Sequence, residues 1–554
     1  MIEINNISAV YRSGEKEIPA LSSMNLKIIE GEYIAILGPN GSGKSSLVKA
    51  LCGLIPLSSG DIRIFNERIL YGDFSKKLFG KVGVVFQEPP GQFLMPTVRK
   101  ELEYPLQNLG LDQESQNEVF NDIVERFELS DFLDKSPEDL SPGWMQIVNL
   151  AVAFALGGKI LILDEPTTFL DLKFRKLFLD RVKESNDQGR TVIHITQYPD
   201  EALLSSRAVI LSEGTISASG NPYEILSDGK LLKKYGLGLP RVIEFKNAFG
   251  FELENPEAVS GYLENLERKG EPDSISDIIA APVIIVRNLS FSYPDSEFSL
   301  RMDEFRLNEN QITGLVGPSG SGKSTLALLL SGVMRSPDSK TEYLGRMVDD
   351  FRRYREKIGI SWQMPEPVLI GPTVKDDLLL NLKEKSQDNM NYEALLESVG
   401  LAEFGDRVVD TLSGGEKRKL SLATLLAGNP EYLILDEPAA FLDPISQNEI
   451  KKLLKKLLAN LKGALIISHD LVFLSDLAER IIGLRDGEIS VDVPAAEFFS
   501  SPEHSRAIDL DTDMMIDFRG KIADCGVVLR SNSLRPEIIK AGLDSWTGNQ
   551  DNFS

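Results

Sequence analysis

The chain has 554 residues, 83 of them Asp or Glu and 60 Lys or Arg, for a formal net charge of -23. At roughly 150 residues per domain this is length for three or four domains, and so acidic a balance excludes a nucleic-acid role without a local basic patch, of which the sequence shows no sign. The two cysteines, Cys52 and Cys525, can build neither a disulfide framework nor a four-ligand zinc site, so both are expected as inert buried thiols in a reducing compartment.

In chain order, Met1–Ala9 carries Glu3 and lacks a basic start followed by an apolar run, so no secretory signal is expected there. Gly38–Ser46 reads GPNGSGKSS and fits the phosphate-binding pattern G-x-x-x-x-G-K-[ST]. In such a loop Gly38, Asn40, Gly41 and Gly43 let backbone N–H groups converge on phosphates, and the helix that follows aims its positive end at them. Lys44 then reaches the β and γ phosphates, Ser45 offers a hydroxyl to Mg2+, and Ser46 completes the motif. The uncharged stretch Leu140–Gly158 has about the length of a membrane span but contains Pro142, Gln146 and Asn149, so it is expected as a buried helix. Ile160–Glu165, ILILDE, is an apolar strand whose end places Asp164 for the metal ion and Glu165 to polarise the attacking water. From about Leu237 to Ala281 a Glu-rich segment with Val259, Tyr262, Leu263 and Leu266 reads as a small helical extension and linker.

The same order then returns. Gly317–Thr325 reads GPSGSGKST and supplies Gly317, Ser319, Gly320, Gly322, Lys323, Ser324 and Thr325; Tyr432–Glu437 reads YLILDE and supplies Asp436 and Glu437. The two loop lysines are 279 residues apart and the two glutamates 272, which makes this a tandem duplication. The counterpart of the uncharged stretch carries Lys417, Arg418 and Lys419, which a lipid-facing helix does not tolerate, so no transmembrane segment is expected. The expected division is two ATPase domains at 1–236 and 282–505, an extension and linker at 237–281, and a tail without motif at 506–554.

LSGGE at Leu412–Glu416 is similar to the signature of ATP-binding cassette domains, and the chain resembles a pair of them over nearly its whole length outside the tail. The resemblance implies an α/β fold: two tandem P-loop NTPase domains, each a RecA-like parallel sheet core with a helical subdomain and an antiparallel β subdomain. It implies ATP and Mg2+ as cofactors and ATP hydrolysis as the reaction. By the same resemblance Tyr11 and Tyr293 stack on adenine, Gln87 and Gln363 sense Mg2+ and the membrane partner, and Asp171 and Asp443 match the D-loop. Ser413, Gly414 and Gly415 would grip the γ phosphate bound to the opposite cassette, and His469 in IISHD matches the switch histidine.

The first half departs from this pattern. Its signature reads LSPGW, keeping Ser141 and Gly143 around Pro142, and its switch position is Gln197, while His194 three residues earlier is expected as a structural histidine. Cassettes pair head to tail, so one site is expected to join Lys44, Asp164, Glu165 and Gln197 to Ser413, and the other Lys323, Asp436, Glu437 and His469 to Ser141. Glutamine cannot become cationic and loses the charge-assisted part of a phosphate contact. The first site is therefore expected to be slow and the second to carry most turnover.

GNPYEILSDGKLLKKYGLGLPRV at Gly220–Val242, VFQEPPGQF at Val85–Phe93 and VIHIT at Val192–Thr196 resemble the energy-coupling factor transporter ATPases. That resemblance implies a peripheral protein on the cytoplasmic face of the membrane, with a transmembrane coupling subunit and a membrane substrate-binding subunit as partners, no nucleic acid, and a vitamin or transition metal as cargo. The alternative is a soluble tandem cassette ATPase acting on ribosomes or nucleic acid, for which a long charged linker or metal-binding cysteines would be expected. A non-hydrolysing scaffold is disfavoured by Glu165 and Glu437. The membrane subunit is expected to meet Gln92–Thr97 and Val368–Thr373, unless Phe93, Leu94, Leu369 and Ile370 simply pack the helical subdomain.

Overall fold

The computed structural model describes residues 1–13, 16–73, 77–168, 170–264, 266, 281–294, 298–362, 369–381, 392–440, 442–510, 513–525, 527, 529 and 531–548. These form two compact units, residues 1–243 with 443–445, and residues 244–442 with 446–554.

In the first unit the strands are β1 (Ile2–Ser13), β2 (Lys16–Ile28), β3 (Tyr33–Leu37), β4 (Ser59–Ile64), β5 (Glu67–Ile69), β6 (Val82–Val85), β7 (Ile160–Asp164), β8 (Thr191–Ile195), β9 (Arg207–Ser212) and β10 (Thr215–Gly220). β3, β7 and β8 are buried at every position. Near-continuous apolar strands of this kind belong to a parallel sheet covered on both faces. They lie in a six-stranded sheet of order β10-β9-β3-β8-β7-β6, parallel except for the β9–β10 pair. β1 alternates Ile2 and Ile4 inward and belongs instead to an antiparallel sheet, β2-β1-β4-β5. Between the two sheets, Ile2, Ile4 and Ile62 meet Ile34, Ile36, Ile162 and the helix Lys44–Leu51.

The helices Val98–Asn108, Gln113–Arg126 and Pro142–Ala155 form a separate helical part around Leu102, Ile123, Phe127, Ile147 and Phe154. Thr97 and Asp112 cap the first two, accepting from the backbone N–H groups of Lys100 and Ser115. The uncharged stretch is thus a buried helix. Its two amides are spent on loop carbonyls: Gln146 Nε2 donates to Phe86 O at 3.1 Å and Pro166 O at 2.9 Å, and Asn149 Nδ2 to Pro89 O at 3.2 Å. Among the described residues no helix is long and apolar enough to cross a membrane.

The second unit repeats the plan with β11 (Pro282–Ser292), β12 (Ser299–Asn308), β13 (Gln311–Val316), β14 (Lys340–Tyr343), β15 (Arg346–Met347), β16 (Ile358–Ser361), β17 (Tyr432–Asp436), β18 (Gly463–Ile467), β19 (Arg480–Arg485) and β20 (Glu488–Pro494). The sheets run β16-β17-β18-β13-β19-β20 and β12-β11-β14-β15, and the helices Val374–Asn381, Tyr392–Ser398 and Gly414–Ala427 make its helical part. Arg418 stands where the first unit has Gln146. Its buried guanidinium donates to Trp362 O at 2.7 Å and Glu437 O at 3.3 Å.

The segments without motif pack together. Phe518, on the tail helix Met514–Asp524, lies 4.9 Å from Phe245 and 5.1 Å from Phe249 by ring centroids, and all three join the core that holds Leu454, Leu474 and Phe498. Arg519 beside it is buried and donates to Ser531 O at 2.7 Å and Ser533 O at 3.0 Å. Cys525 is partly buried at the end of that helix, and Cys52 is wholly buried, its thiol pushed up to about 12 by burial and then by the charge of Asp164.

Candidate nucleotide sites

Each phosphate loop lies between a buried parallel strand and a helix, β3 and Lys44–Leu51 in the first unit, β13 and Lys323–Leu330 in the second. The turn into the helix requires glycine. Gly43 and Gly322 have φ of 101° and 100°, and a Cβ on Gly43 would stand 2.4 Å from Ala20 O. At the loop entrance a Cβ on Gly38 would meet Leu211 O at 2.2 Å, and one on Gly317 would meet Leu484 O at 2.4 Å.

The lysines fold over their own loops. Lys44 Nζ donates to Gly38 O at 2.7 Å and Pro39 O at 3.0 Å; Lys323 Nζ donates to Gly317 O at 2.9 Å and Pro318 O at 2.8 Å. Within each loop one serine hydroxyl, of Ser42 or Ser321, is buried without a hydrogen-bond partner among the described residues. A buried hydroxyl left unpaired costs free energy that a phosphate oxygen could recover. These two serines were not distinguished by the motif, which leaves their position free.

The strands β7 and β17 deliver the carboxylates. Ser45 Oγ donates to Asp164 Oδ1 at 3.2 Å, and Ser324 Oγ to Asp436 Oδ2 at 2.8 Å. Burial, then the neighbouring Glu165, pushes the Asp164 carboxyl up to about 6; burial also raises that of Asp436. Glu165 and Glu437 both have φ of 47°, a left-handed backbone that glutamate rarely adopts and that is held at functional sites by the surrounding structure. Among the described residues no cluster of three His, Cys, Asp or Glu could cage a metal ion. A hydroxyl and a carboxylate in contact suit Mg2+, which takes one or two protein oxygens and completes its shell with phosphate and water.

The two glutamates are held differently. Glu165 Oε1 lies 3.4 Å from Lys44 Nζ, both groups buried. Glu437 accepts from His469 N at 2.7 Å and from Ser468 Oγ at 3.0 Å, with His469 Nε2 at 3.7 Å; burial, then the charge of Asp436, raises its carboxyl well above the ordinary range. Gln197, at the histidine's position, is 3% exposed, and among the described residues neither its Oε1 nor its Nε2 has a hydrogen-bond partner. His194 is wholly buried, with Nδ1 3.0 Å from the Tyr33 hydroxyl.

Around these groups, Tyr11 and Tyr293 are exposed beside their loops, their hydroxyls 3.4 Å from Ser46 Oγ and 3.2 Å from Thr325 Oγ1. Gln87 sits two residues beyond β6; Gln363 lies outside the described residues. Asn40, Gly41, Ser319 and Gly320 lie in the loops themselves. Asp171 caps the helix Leu172–Asp187, accepting from Phe174 N at 2.9 Å, and Asp443 precedes the helix Pro444–Leu458.

Both signature serines are helix N-caps. Ser413 forms a capping box with Glu416, and Gly414 and Gly415 open the helix. Ser141 accepts from Trp144 N at 3.4 Å, but Trp144 cannot return the bond. Pro142 takes the first helical position, where a missing N–H costs nothing. The indole packs 4.4 Å from Phe132 and 5.3 Å from Phe174, and a Cβ on Gly143 would strike Phe174 at 2.5 Å. Hydrophobic packing thus replaces the capping carboxylate of the second half.

An ABC transporter family model matches residues 21–168 and 300–440. A Bacillus subtilis protein named as a candidate HMP/thiamine import ATP-binding protein, YkoD, is 29% identical over 90% of this chain and 92% of its own. A Clostridium perfringens protein named as a candidate ABC transporter ATP-binding protein is 30% identical over 91% of this chain and 92% of its own. The archaeal Pelota and ABCE1 structure in its ribosome-bound form covers 89% of this chain and 79% of its own at TM-score 0.60 and 21% identity, a likeness of fold. With two matched cassettes and relatives along nine-tenths of its length, the chain belongs to the ABC transporter family, as an ATP-binding component that hydrolyses ATP with Mg2+.

Proposed function

We propose that the chain is the energising subunit of a membrane importer of the energy-coupling factor type, taking up a vitamin or a transition metal, and that it binds two ATP head to tail between its halves. The observation that carries the nucleotide reading is that the hydroxyls of Ser42 and Ser321 and the amide of Gln197 are buried without a hydrogen-bond partner among the described residues. The importer reading is supported by Gly220–Val242 and by the relative named for HMP/thiamine import.

In this reading Tyr11 and Tyr293 stack on adenine, and the loop amides with Lys44 and Lys323 hold the phosphates. Ser45 with Asp164, and Ser324 with Asp436, would hold Mg2+, with Gln87 and Gln363 as the residues that sense it; the ion would supply charge neutralisation to the phosphates. Glu165 and Glu437 orient the attacking water and take up its proton, and Gln197 and His469 donate to the γ phosphate. Ser141 with Gly143, and Ser413 with Gly414 and Gly415, offer a hydroxyl and backbone N–H groups to the phosphate of the opposite half. A membrane coupling subunit and a membrane substrate-binding subunit are the partners, and the protein lies peripherally on the cytoplasmic face.

Purification of the tagged chain from detergent-solubilised membranes tests this. Two or more membrane proteins in constant ratio to the chain are expected; ribosomal proteins or nucleic acid instead would replace the reading with that of a soluble cassette ATPase. The docking surface can be located the same way. Phe93 and Leu369 pack against the helical parts, whereas Leu94 and Ile370 are 73% and 71% exposed. Leu94→Glu with Ile370→Glu is therefore expected to lose the membrane proteins while keeping basal ATPase activity, and retention of the proteins would place the docking surface elsewhere.

A further inference from the structure

Thr196 and Ser468 occupy the same place in the two halves, one residue past β8 and β18 and one before Gln197 and His469. Their hydroxyls are used differently. Ser468 Oγ accepts from Asp470 N at 3.1 Å and donates to Glu437 Oε2 at 3.0 Å, so one hydroxyl joins the turn carrying His469 to the carboxylate. Thr196 Oγ1 accepts from Tyr198 N at 3.0 Å in the same way, but donates to Glu201 Oε2 at 2.5 Å. Among the described residues no hydrogen bond runs from this turn to the Glu165 carboxylate.

Glu201 is 3% exposed and sits at the centre of a buried polar cluster. Its Oε1 accepts from Thr167 Oγ1 at 2.6 Å and lies 3.7 Å from Arg175 Nε; its Oε2 lies 3.4 Å from His194 Nε2. Arg175 in turn lies over the Tyr198 ring at 4.1 Å. The second half has none of these groups: at the positions matching Tyr33, Thr167, His194 and Glu201 stand Ile312, Ala439, Ile466 and Phe473. Both versions pack, so the fold does not demand the cluster, and a buried carboxylate is costly unless fully partnered.

The geometry points to Glu201 as a positioning residue of the first half: it takes the Thr196 hydroxyl and so disconnects the Gln197 turn from Glu165, slowing that half beyond what the missing switch histidine does. This deepens the proposed function and rests on its reading of Glu165 and Glu437 as the water-orienting groups of two unequal sites. Glu201→Gln releases the hydroxyl with little change of shape. The Arg175 cation keeps the amide oxygen on the Oε1 side, which leaves an NH2 where Oε2 stands, and an NH2 cannot accept from Thr196.

First-half turnover is isolated in a Glu437→Gln background and second-half turnover in a Glu165→Gln background, with phosphate release as the readout and equilibrium ATP binding as the check on the fold. Glu201→Gln is expected to raise first-half turnover about fivefold or more, the scale of one hydrogen bond to a carboxylate. It should leave second-half turnover and ATP affinity unchanged, and adding Thr196→Val should remove the gain. Unchanged first-half turnover, equal changes in both backgrounds, or a gain that survives Thr196→Val would overturn the inference. Should Glu201→Gln fail to fold, Ser468→Ala tests the same contrast from the other side: second-half turnover is expected to fall about fivefold or more, and an unchanged rate overturns the inference. Wild-type turnover in Glu437→Gln alone would overturn the underlying site reading and this inference with it, an outcome visible before Glu201 is touched.

Discussion

Glu437→Gln is expected to lower steady-state ATP turnover by about 10²- to 10⁴-fold, the range of a positioned general base, whereas Glu165→Gln is expected to spare a large part of it. Each tenfold corresponds to about 1.36 kcal/mol of barrier. The contrast follows from how the two carboxylates are held. Glu437 is bonded to the His469 turn through His469 N and Ser468 Oγ, and an imidazole stands beside it. Glu165 faces its own lysine, and the glutamine at the histidine's position has no partner for its amide among the described residues. Gln197→His should accordingly raise the residual activity of the Glu437→Gln protein. Equal losses from the two single substitutions, or a larger loss from Glu165→Gln, would assign the working site to the other half.

Phe518→Ala is expected to destabilise the second unit by about 3–5 kcal/mol, the cost of emptying a well-packed aromatic site. Phe518 is 1% exposed and touches Phe245 and Phe249, which stand in the segment after the first cassette. Two further contacts join the same segments: Cys525 Sγ lies 3.9 Å from Leu263 O, and Lys540 Nζ 3.5 Å from the Tyr262 hydroxyl. Thermal unfolding followed by near-ultraviolet circular dichroism should show the lower midpoint. An unchanged midpoint would mean that the tail is an appendage, not part of the second unit's core.

What the sequence made legible was the chemistry with fixed spacing. The glycines, lysines, Ser45, Ser324 and the Asp-Glu pairs are dictated by a loop that wraps phosphate and a strand that ends beside it, so the motif and the geometry coincide residue by residue. The buried helix at Pro142–Ala155 was legible for a related reason, since Gln146 and Asn149 had to be spent on something other than lipid. The tail was not legible. Its helices carry no motif, and the aromatic residues they meet lie some 270 positions earlier, as Phe518 and Phe245 do, a separation across which no periodicity speaks. The Glu201 cluster was hidden in the same way. His194 read as a structural histidine, and its contact with Tyr33, 161 residues away, fits that reading; what one chain of letters did not reveal was that the partners converge on the hydroxyl next to Gln197.

In the proposed importer, ATP hydrolysis drives uptake mainly through the second half. The most direct measurement is ATP-dependent accumulation of any of a panel of labelled vitamins and transition-metal ions in membrane vesicles that contain the chain with the membrane proteins that co-purify with it. Accumulation is expected with the wild-type chain, most of it retained with Glu165→Gln, and background levels with Glu437→Gln. Accumulation that ignores Glu437→Gln, in vesicles where the same substitution abolishes phosphate release, would contradict it.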